Sequence, residues 1–174
     1  LNRWQYTNAE KGWVSFINVR YMKDEKQTGE LDFDANRDKG TTNFWGSEIN
    51  TERVDVSTKI GYVFPNMPYQ SIGFQNAFTS HKQDSYFGLN DYQIAQKSFY
   101  SNLILNSIIN NTKNRFATGL NFTYDDYNEY LIVPNSTGNF DRIDTNIGAF
   151  VEYTYDNTDD FSLVAGFRID NNNR

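Results

Sequence analysis

Apolar and polar residues alternate along most of this chain of 174 residues. In residues 54–64 the even positions carry valine, threonine, isoleucine and aromatic side chains, whereas the odd positions include Asp55, Ser57 and Lys59. Successive side chains of a β-strand point to opposite faces, so this period predicts a strand with one apolar and one polar face. The same pattern recurs in residues 116–124, 145–155 and 161–170.

Four further segments fit the period less cleanly: residues 1–6, 13–22, 71–80 and 99–109. In the last of these we assign Leu103 and Leu105 to the apolar face, because Asn102 and Asn106 then share the polar face. The predicted fold class is therefore all-β, an antiparallel up-and-down meander of seven to eight strands.

The predicted connections between these strands alternate between short and long. The short ones are residues 7–12, 65–68, 110–114 and 156–160, which are rich in the turn formers Asn, Asp, Gly and Pro. The long ones are residues 23–53, 81–98 and 126–144. If neighbouring strands are antiparallel, all short turns lie at one end of the sheet, as they do in outer-membrane barrels.

Strand length and aromatic placement favour the same architecture. The predicted strands run about 10 residues, the length that a tilted strand needs to cross a bilayer. Aromatic residues flank the short turns, as in the interfacial belts of barrels; they are Trp4, Tyr6, Trp13, Tyr62, Phe64, Tyr69, Phe116, Tyr153, Tyr155 and Phe161. The alternative is a soluble β-sandwich whose aromatic residues fill a core.

Composition removes several function classes. The net charge of −6 disfavours binding of DNA or RNA phosphates. The absence of cysteine excludes disulfides, thiolate metal sites and a cysteine nucleophile. We find no run of 18 apolar residues and no signal peptide, and since the first residue is Leu1 we expect the chain to belong to a longer protein. A 17% aromatic content at a mean hydropathy of −0.72 argues against disorder.

Several runs of residues resemble the TonB-dependent outer-membrane receptors of Bacteroidota. They are residues 148–155 and 161–170 in the last third, with residues 12–15, 19–21, 97–100 and 125–127, which are similar to the middle of the barrel in that family. The resemblance implies a barrel of about 22 strands with a plugged lumen. It also implies uptake of a siderophore, cobalamin or oligosaccharide, powered by TonB acting through the plug.

The chain differs from that family in extent, since we find neither a plug nor a TonB-contacting motif. We therefore expect residues 1–174 to form one partial barrel domain in the bacterial outer membrane, in contact with lipid and with the remaining barrel and plug of the same receptor. Alone, with its apolar face uncovered, the fragment is expected to self-associate. The alternative function is that of a secreted glycan-binding module built on a sandwich.

Two groups of side chains are candidates for contact with substrate. Charged residues on the polar faces are predicted to face the lumen, with pairing across strands as the alternative role; they are Arg20, Asp55, Lys59, Glu152, Arg168 and Asp170. Aromatic residues of the predicted external loops are candidate substrate-binding residues, with packing within the loops as the alternative; they are Phe44, Trp45, Tyr86, Phe87, Tyr92 and Tyr130.

The acidic segment 32–40 suggests a calcium site, because Asp32, Asp34, Asn36 and Asp38 place oxygen ligands at every second residue. A solvated acidic loop is the alternative, and no other cofactor is expected. His81 is the one histidine and has no metal-binding motif around it. We find no GxSxG or Walker motif, so we do not expect an enzyme.

Overall fold

The computed structural model describes residues 1–157 and 160–173. Within them the chain forms nine strands and one short helix. The strands are β1 (Asn2–Asn8), β2 (Trp13–Gly29), β3 (Gly46–Phe64), β4 (Met67–Phe87), β5 (Asn90–Ile109), β6 (Asn111–Val133), β7 (Ser136–Asn139), β8 (Arg142–Asp156) and β9 (Ser162–Asn172). The helix α1 spans Ala35–Asp38.

All strands belong to one antiparallel sheet in which sequence neighbours pair, except that β8 pairs with β6 and not with β7. The spatial order is β1-β2-β3-β4-β5-β6-β8-β9, and β7 pairs with the end of β6 beside β8. The sheet is not closed. The predicted all-β up-and-down meander is therefore confirmed. Residues 1–6 begin β1 as expected, while β7 is an addition inside the predicted connection 126–144.

Strands β2 to β6 are about twice as long as the sequence predicted. β3 has 19 residues, β4 has 21 and β6 has 23. Strands need paired backbone groups but no apolar face, so the ladder continues through polar segments that lack the period-2 signal. The predicted strand ends at that side of the sheet were therefore wrong.

Two predicted long loops are in fact hairpins. Residues 81–98 complete β4 and begin β5, which are joined by a turn at Gly88 and Leu89. Residues 126–144 complete β6, turn at Pro134 and Asn135, and return through β7 into β8. Only the first long connection remains a loop, reduced to residues 30–45. The predicted turn 156–160 includes residues 158 and 159, which lie outside the described part of the chain.

A glycine is required at the first short turn. Gly12 has a φ of +73°, its N–H donates to the carbonyl of Ala9, and its own carbonyl accepts from the N–H of Val63. A Cβ at this position would lie 1.9 Å from the Val63 carbonyl oxygen. Only glycine combines this backbone conformation with so close an approach of a neighbouring strand.

The sheet is a single layer. Tyr86 is the one large hydrophobic residue that is buried among those described, whereas large apolar side chains are exposed on every strand except β7. A β-sandwich needs a second sheet packed on the first, and the described residues form one sheet. No helix within residues 1–157 and 160–173 is long and apolar enough to span a membrane.

Candidate functional site: two faces of the sheet

The strand register assigns each strand residue to one of two faces, because directly paired residues project from the same side. One row of paired residues crosses six strands and is polar throughout; it consists of Arg20, Asp55, Thr79, Ser98, Asp125 and Asp144. We call the side that carries this row the polar face and the opposite side the apolar face.

The six charged residues predicted to share one face do so. Arg20 pairs with Asp55, and Lys59 lies two alternations along β3 from Asp55. In the last strands the positions of Glu152, Arg168 and Asp170 alternate consistently with the polar side of β8 and β9. These strands lie at opposite ends of the sheet order, so the face assignment holds from β2 to β9.

Asp55 lies in a hydrogen-bonded cluster on the polar face. The guanidinium of Arg53 lies 2.9 Å from Asp55 Oδ1, and the Thr79 hydroxyl donates to the same oxygen at 2.7 Å. Further along the row, the carboxylate of Asp125 accepts from the Ser98 hydroxyl. Asp55 and Asp125 thus each accept a hydrogen bond from a hydroxyl on a neighbouring strand, whereas the guanidinium paired with Asp55 belongs to the same strand.

A second cluster surrounds Gly148. Arg168 Nε lies 2.6 Å from Asp170 Oδ2, and Arg168 Nη2 donates to the buried side chain of Asn121 at 3.2 Å. A Cβ on Gly148 would lie 2.2 Å from Asp170 Oδ1 and 2.4 Å from Asn121 Oδ1. The missing side chain at Gly148 leaves space in which the groups from β6 and β9 approach across β8.

A third cluster was missed by the sequence analysis. Arg142 Nη1 lies 2.7 Å from Glu129 Oε2, the Tyr92 hydroxyl donates to Glu129 Oε1 at 2.9 Å, and the Arg142 guanidinium lies 4.0 Å from the centre of the Tyr127 ring. The hydrogen bond from Arg142, followed by that from Tyr92, lowers the pKa of Glu129 below its usual range. Burial, followed by the hydrogen bond to Glu129, raises the pKa of Tyr92. These residues lay in predicted loops, so no strand pattern pointed to them.

The apolar face carries rows of large apolar side chains. One row contains Ile60, Phe74, Leu103 and Leu120, and another contains Val56, Phe78, Phe99 and Tyr124. The row between them is mixed and combines Phe122 with Thr58, Asn76 and Ser101. The prediction that Leu103 and Leu105 belong to this face is confirmed. We call residues 54–64 of β3, with their paired rows, the apolar band; the row of Val54 forms its border and includes Lys97 and Asp126. The extent of the band along β3 matches the 9–11 residues of a tilted transmembrane strand.

Beyond the band the same face becomes polar. Glu52 pairs with Lys23 and Lys82, and the next row on that face pairs Asn50 with Glu25 and Asp84. The Tyr21 hydroxyl donates to Glu52 at 3.3 Å, at the border between the two zones. The strands therefore continue past the band with polar side chains on both faces. We call this part the polar extension.

Aromatic rings line the band at the end with the short turns. Trp13 and Tyr62 are cross-strand partners with ring centres 4.7 Å apart, and Phe64 follows at 5.0 Å from Tyr62. On β8, Tyr153 and Tyr155 belong to the same face, and Phe161 lies 6.3 Å from Tyr155. The predicted clustering of aromatic residues at this end is therefore present.

The predicted substrate-binding aromatic residues do not form one group. Phe44, Trp45 and Phe87 line a common cavity of about 390 Å³ between the 30–45 loop and the β4–β5 turn. Tyr86 is buried on the apolar face, with the Lys39 ammonium 4.5 Å from its ring centre. Tyr92 contacts Glu129 on the polar face, whereas Tyr130 belongs to the opposite face. Four of the six lie in strands rather than in loops, contrary to the prediction.

The predicted calcium ligands have other contacts. The Asp34 carboxylate caps α1 by accepting from the N–H of Asn36 at 2.9 Å. The buried carboxylate of Asp38 accepts from Arg37 Nη2 at 2.8 Å and from the N–H of Asp34 at 2.9 Å. Asp32 has a φ of +73°. No three His, Cys, Asp or Glu side chains converge on a metal position among the described residues, and calcium binding stays a prediction.

His81 lies on the polar face, where its Cα partners are Arg53 and Gln96. The polar face thus presents paired ions, amides and hydroxyls, a surface suited to contact with water or with another polar protein surface. Comparison with known proteins adds no identification, since no protein-family model matches the chain and no curated protein matches it.

Proposed function

We propose that this chain is part of the wall of an outer-membrane β-barrel, in a receptor of the TonB-dependent type that imports a siderophore, cobalamin or oligosaccharide. In this role the chain catalyses no reaction. The apolar band contacts lipid, the polar face lines the lumen and contacts the plug, and the open edges at β1 and β9 continue into the remaining barrel.

One observation carries the proposal: the face that is apolar over residues 54–64 becomes polar over residues 46–53 of the same strand. A packed soluble core would require one face to stay apolar wherever it is covered. A membrane instead imposes a layer of fixed thickness, with aromatic residues at its boundary and water beyond it. A face of β3 that is apolar over residues 54–64 and polar over residues 46–53 matches the layer that a membrane imposes.

The chain has no cysteine, so single cysteines can report on each zone. Spin labels at Ile60→Cys, Glu52→Cys and Lys59→Cys are to be compared in lipid bilayers for collision with oxygen and with a polar nickel chelate. We expect the label at position 60 to collide more often with oxygen than with the nickel chelate. Labels at positions 52 and 59 should favour the nickel chelate, because one lies in the polar extension and the other on the polar face. Equal access of nickel to positions 60 and 52 would reject the membrane assignment.

Orientation is tested on whole bacterial cells with a membrane-impermeant maleimide. A cysteine at position 36, in the 30–45 loop, should be labelled from outside, whereas one at Asn111, at the start of β6 next to a short turn, should require permeabilised cells. Labelling of position 111 alone would invert the proposed orientation.

A further inference from the structure

The cavity of about 390 Å³ lies at the end of the sheet that is farthest from the short turns. We call it the rim cavity. Its volume falls within the range of small-molecule sites, about 300–1,000 Å³. The residues that line it are Glu30, Thr41, Thr42, Asn43, Phe44, Trp45, Phe87, Gly88, Leu89 and Asn90.

Trp45 is held in place by its backbone while its ring is half exposed. The backbone N–H of Trp45 donates to Glu30 Oε2 at 3.1 Å, and the backbone carbonyl of Trp45 accepts from the backbone N–H of Glu30 at 2.9 Å. A Cβ on Gly88 would lie 2.9 Å from Trp45 Cδ1, so the indole packs closely against the turn. The side chain of Trp45 nevertheless retains 49% exposure. A fixed and exposed indole is a ready surface for stacking.

The polar groups around the ring are neutral. Thr42, Asn43 and Asn90 provide hydroxyl and amide groups, and Phe87 adds a second exposed aromatic ring. Glu30 is the one charged residue among those lining the cavity, and one of its carboxylate oxygens accepts from Trp45. The nearby Arg37 lies over the Phe44 ring at 5.7 Å, but its guanidinium is paired with Asp38. The cavity therefore offers no unpaired cation to an anionic ligand.

We propose that the rim cavity binds a neutral saccharide, with a sugar ring stacked on Trp45 and its hydroxyls bonded to Asn43, Asn90 and Thr42. A pyranose has an apolar C–H face and a rim of hydroxyls, and the cavity complements both. The location of this site on the outer surface rests on the proposed function, but binding itself does not. Within that function, the inference selects oligosaccharide over an anionic ferric siderophore.

The test uses the full chain in detergent micelles, with Trp4 and Trp13 replaced by phenylalanine so that Trp45 is the only indole. Titration with neutral hexasaccharides of glucose, mannose and galactose should change the emission of Trp45 with at least one of the three. A matched protein that keeps Trp13 instead, with W4F and W45F, should not respond. By calorimetry on the otherwise unaltered chain, W45A should weaken binding about tenfold or more, as for other aromatic anchors of binding sites. Y69A serves as the control, because Tyr69 has comparable exposure at the opposite end of the sheet.

Absence of binding by all three hexasaccharides, or equal binding by W45A and the unaltered chain, would overturn the inference. The result is separable from the membrane experiments. If the chain binds sugar but position 36 is not labelled on whole cells, only the outer-membrane assignment is rejected. If position 36 is labelled but no sugar binds, only the rim site is rejected.

Discussion

Arg142 of β8 and Glu129 of β6 form an ion pair with Nη1 and Oε2 2.7 Å apart, although the two residues are not Cα partners. The pair depends on the break between β7 and β8, where the N–H of Glu129 donates to Asp141 and the N–H of Phe140 donates to the carbonyl of Glu129. At this break Arg142 contacts both the ring of Tyr127 and the carboxylate of Glu129. The pair lies in the polar extension, outside the apolar band.

Replacing Arg142 by alanine should raise the pKa of Glu129 toward its ordinary value, because Arg142 is the largest cause of the lowered pKa. Glutamate side-chain carbon shifts, followed by NMR against pH, measure this directly. R142K is the matched control and should retain part of the effect, since lysine keeps the charge but loses the planar donor group. An unchanged pKa in R142A would contradict the pairing.

The same pair predicts a pH dependence of stability. The folded pKa of Glu129 is lower than its unfolded pKa, so its stabilising contribution is complete above about pH 4.3, the ordinary value for glutamate, and is lost as pH falls through the folded pKa. The effect should be small because Arg142 is partly exposed. Denaturant unfolding measures the free energy of unfolding below and above that pH window. The difference between the two values should be smaller for E129Q than for the unaltered chain.

Substitution of Gly12 by alanine should destabilise the sheet more than the same change at Gly40. Both residues have a left-handed φ, +73° and +72°, which costs a residue with a Cβ about 1–2 kcal/mol. The added Cβ at position 12 also meets the Val63 carbonyl, whereas nothing lies within 4 Å at position 40. Thermal unfolding in detergent measures the difference. Equal losses would mean that backbone strain alone matters at Gly12.

Asp38→Asn should destabilise the 30–45 loop whether or not calcium is present. The Arg37 hydrogen bond, the largest cause, lowers the pKa of the buried Asp38 carboxyl, and asparagine loses that charge-assisted contact. Proteolysis of the loop, with and without added calcium, reports the change, with D32N as the control. Protection by calcium of the unaltered chain, lost in D32N, would instead support the predicted calcium site.

The isolated chain should self-associate when detergent is removed. The apolar face exposes Ile60, Leu120, Phe122, Val151 and Phe167, and an extended exposed apolar surface favours association in water. Sedimentation velocity should show oligomers, and L120S with F167S should reduce them, whereas N102S on the polar face should not. A monomer at high concentration, with the apolar face still open to water, would show that this surface does not drive association.

The amino-acid sequence by itself determined which faces of the strands are apolar. A period of two is a local property, so Asp55, Lys59 and Arg168 could be assigned to one face without knowledge of their neighbours. The antiparallel meander followed from short turns that cannot hold a crossover. The turn at Gly12 likewise followed from local chemistry.

The tertiary structure decided the length of the strands and the contacts among the polar side chains. Residues 81–98 carry polar side chains on both faces, and a strand without a one-sided apolar pattern has no period for sequence reasoning to detect, although its backbone groups pair equally well. The proximity of Glu129 to Arg142, of Asn121 to Arg168, and of Trp45 to Phe87 depends on register between segments distant in sequence. Register is set cooperatively by whole ladders, and no single strand carries the information that fixes it.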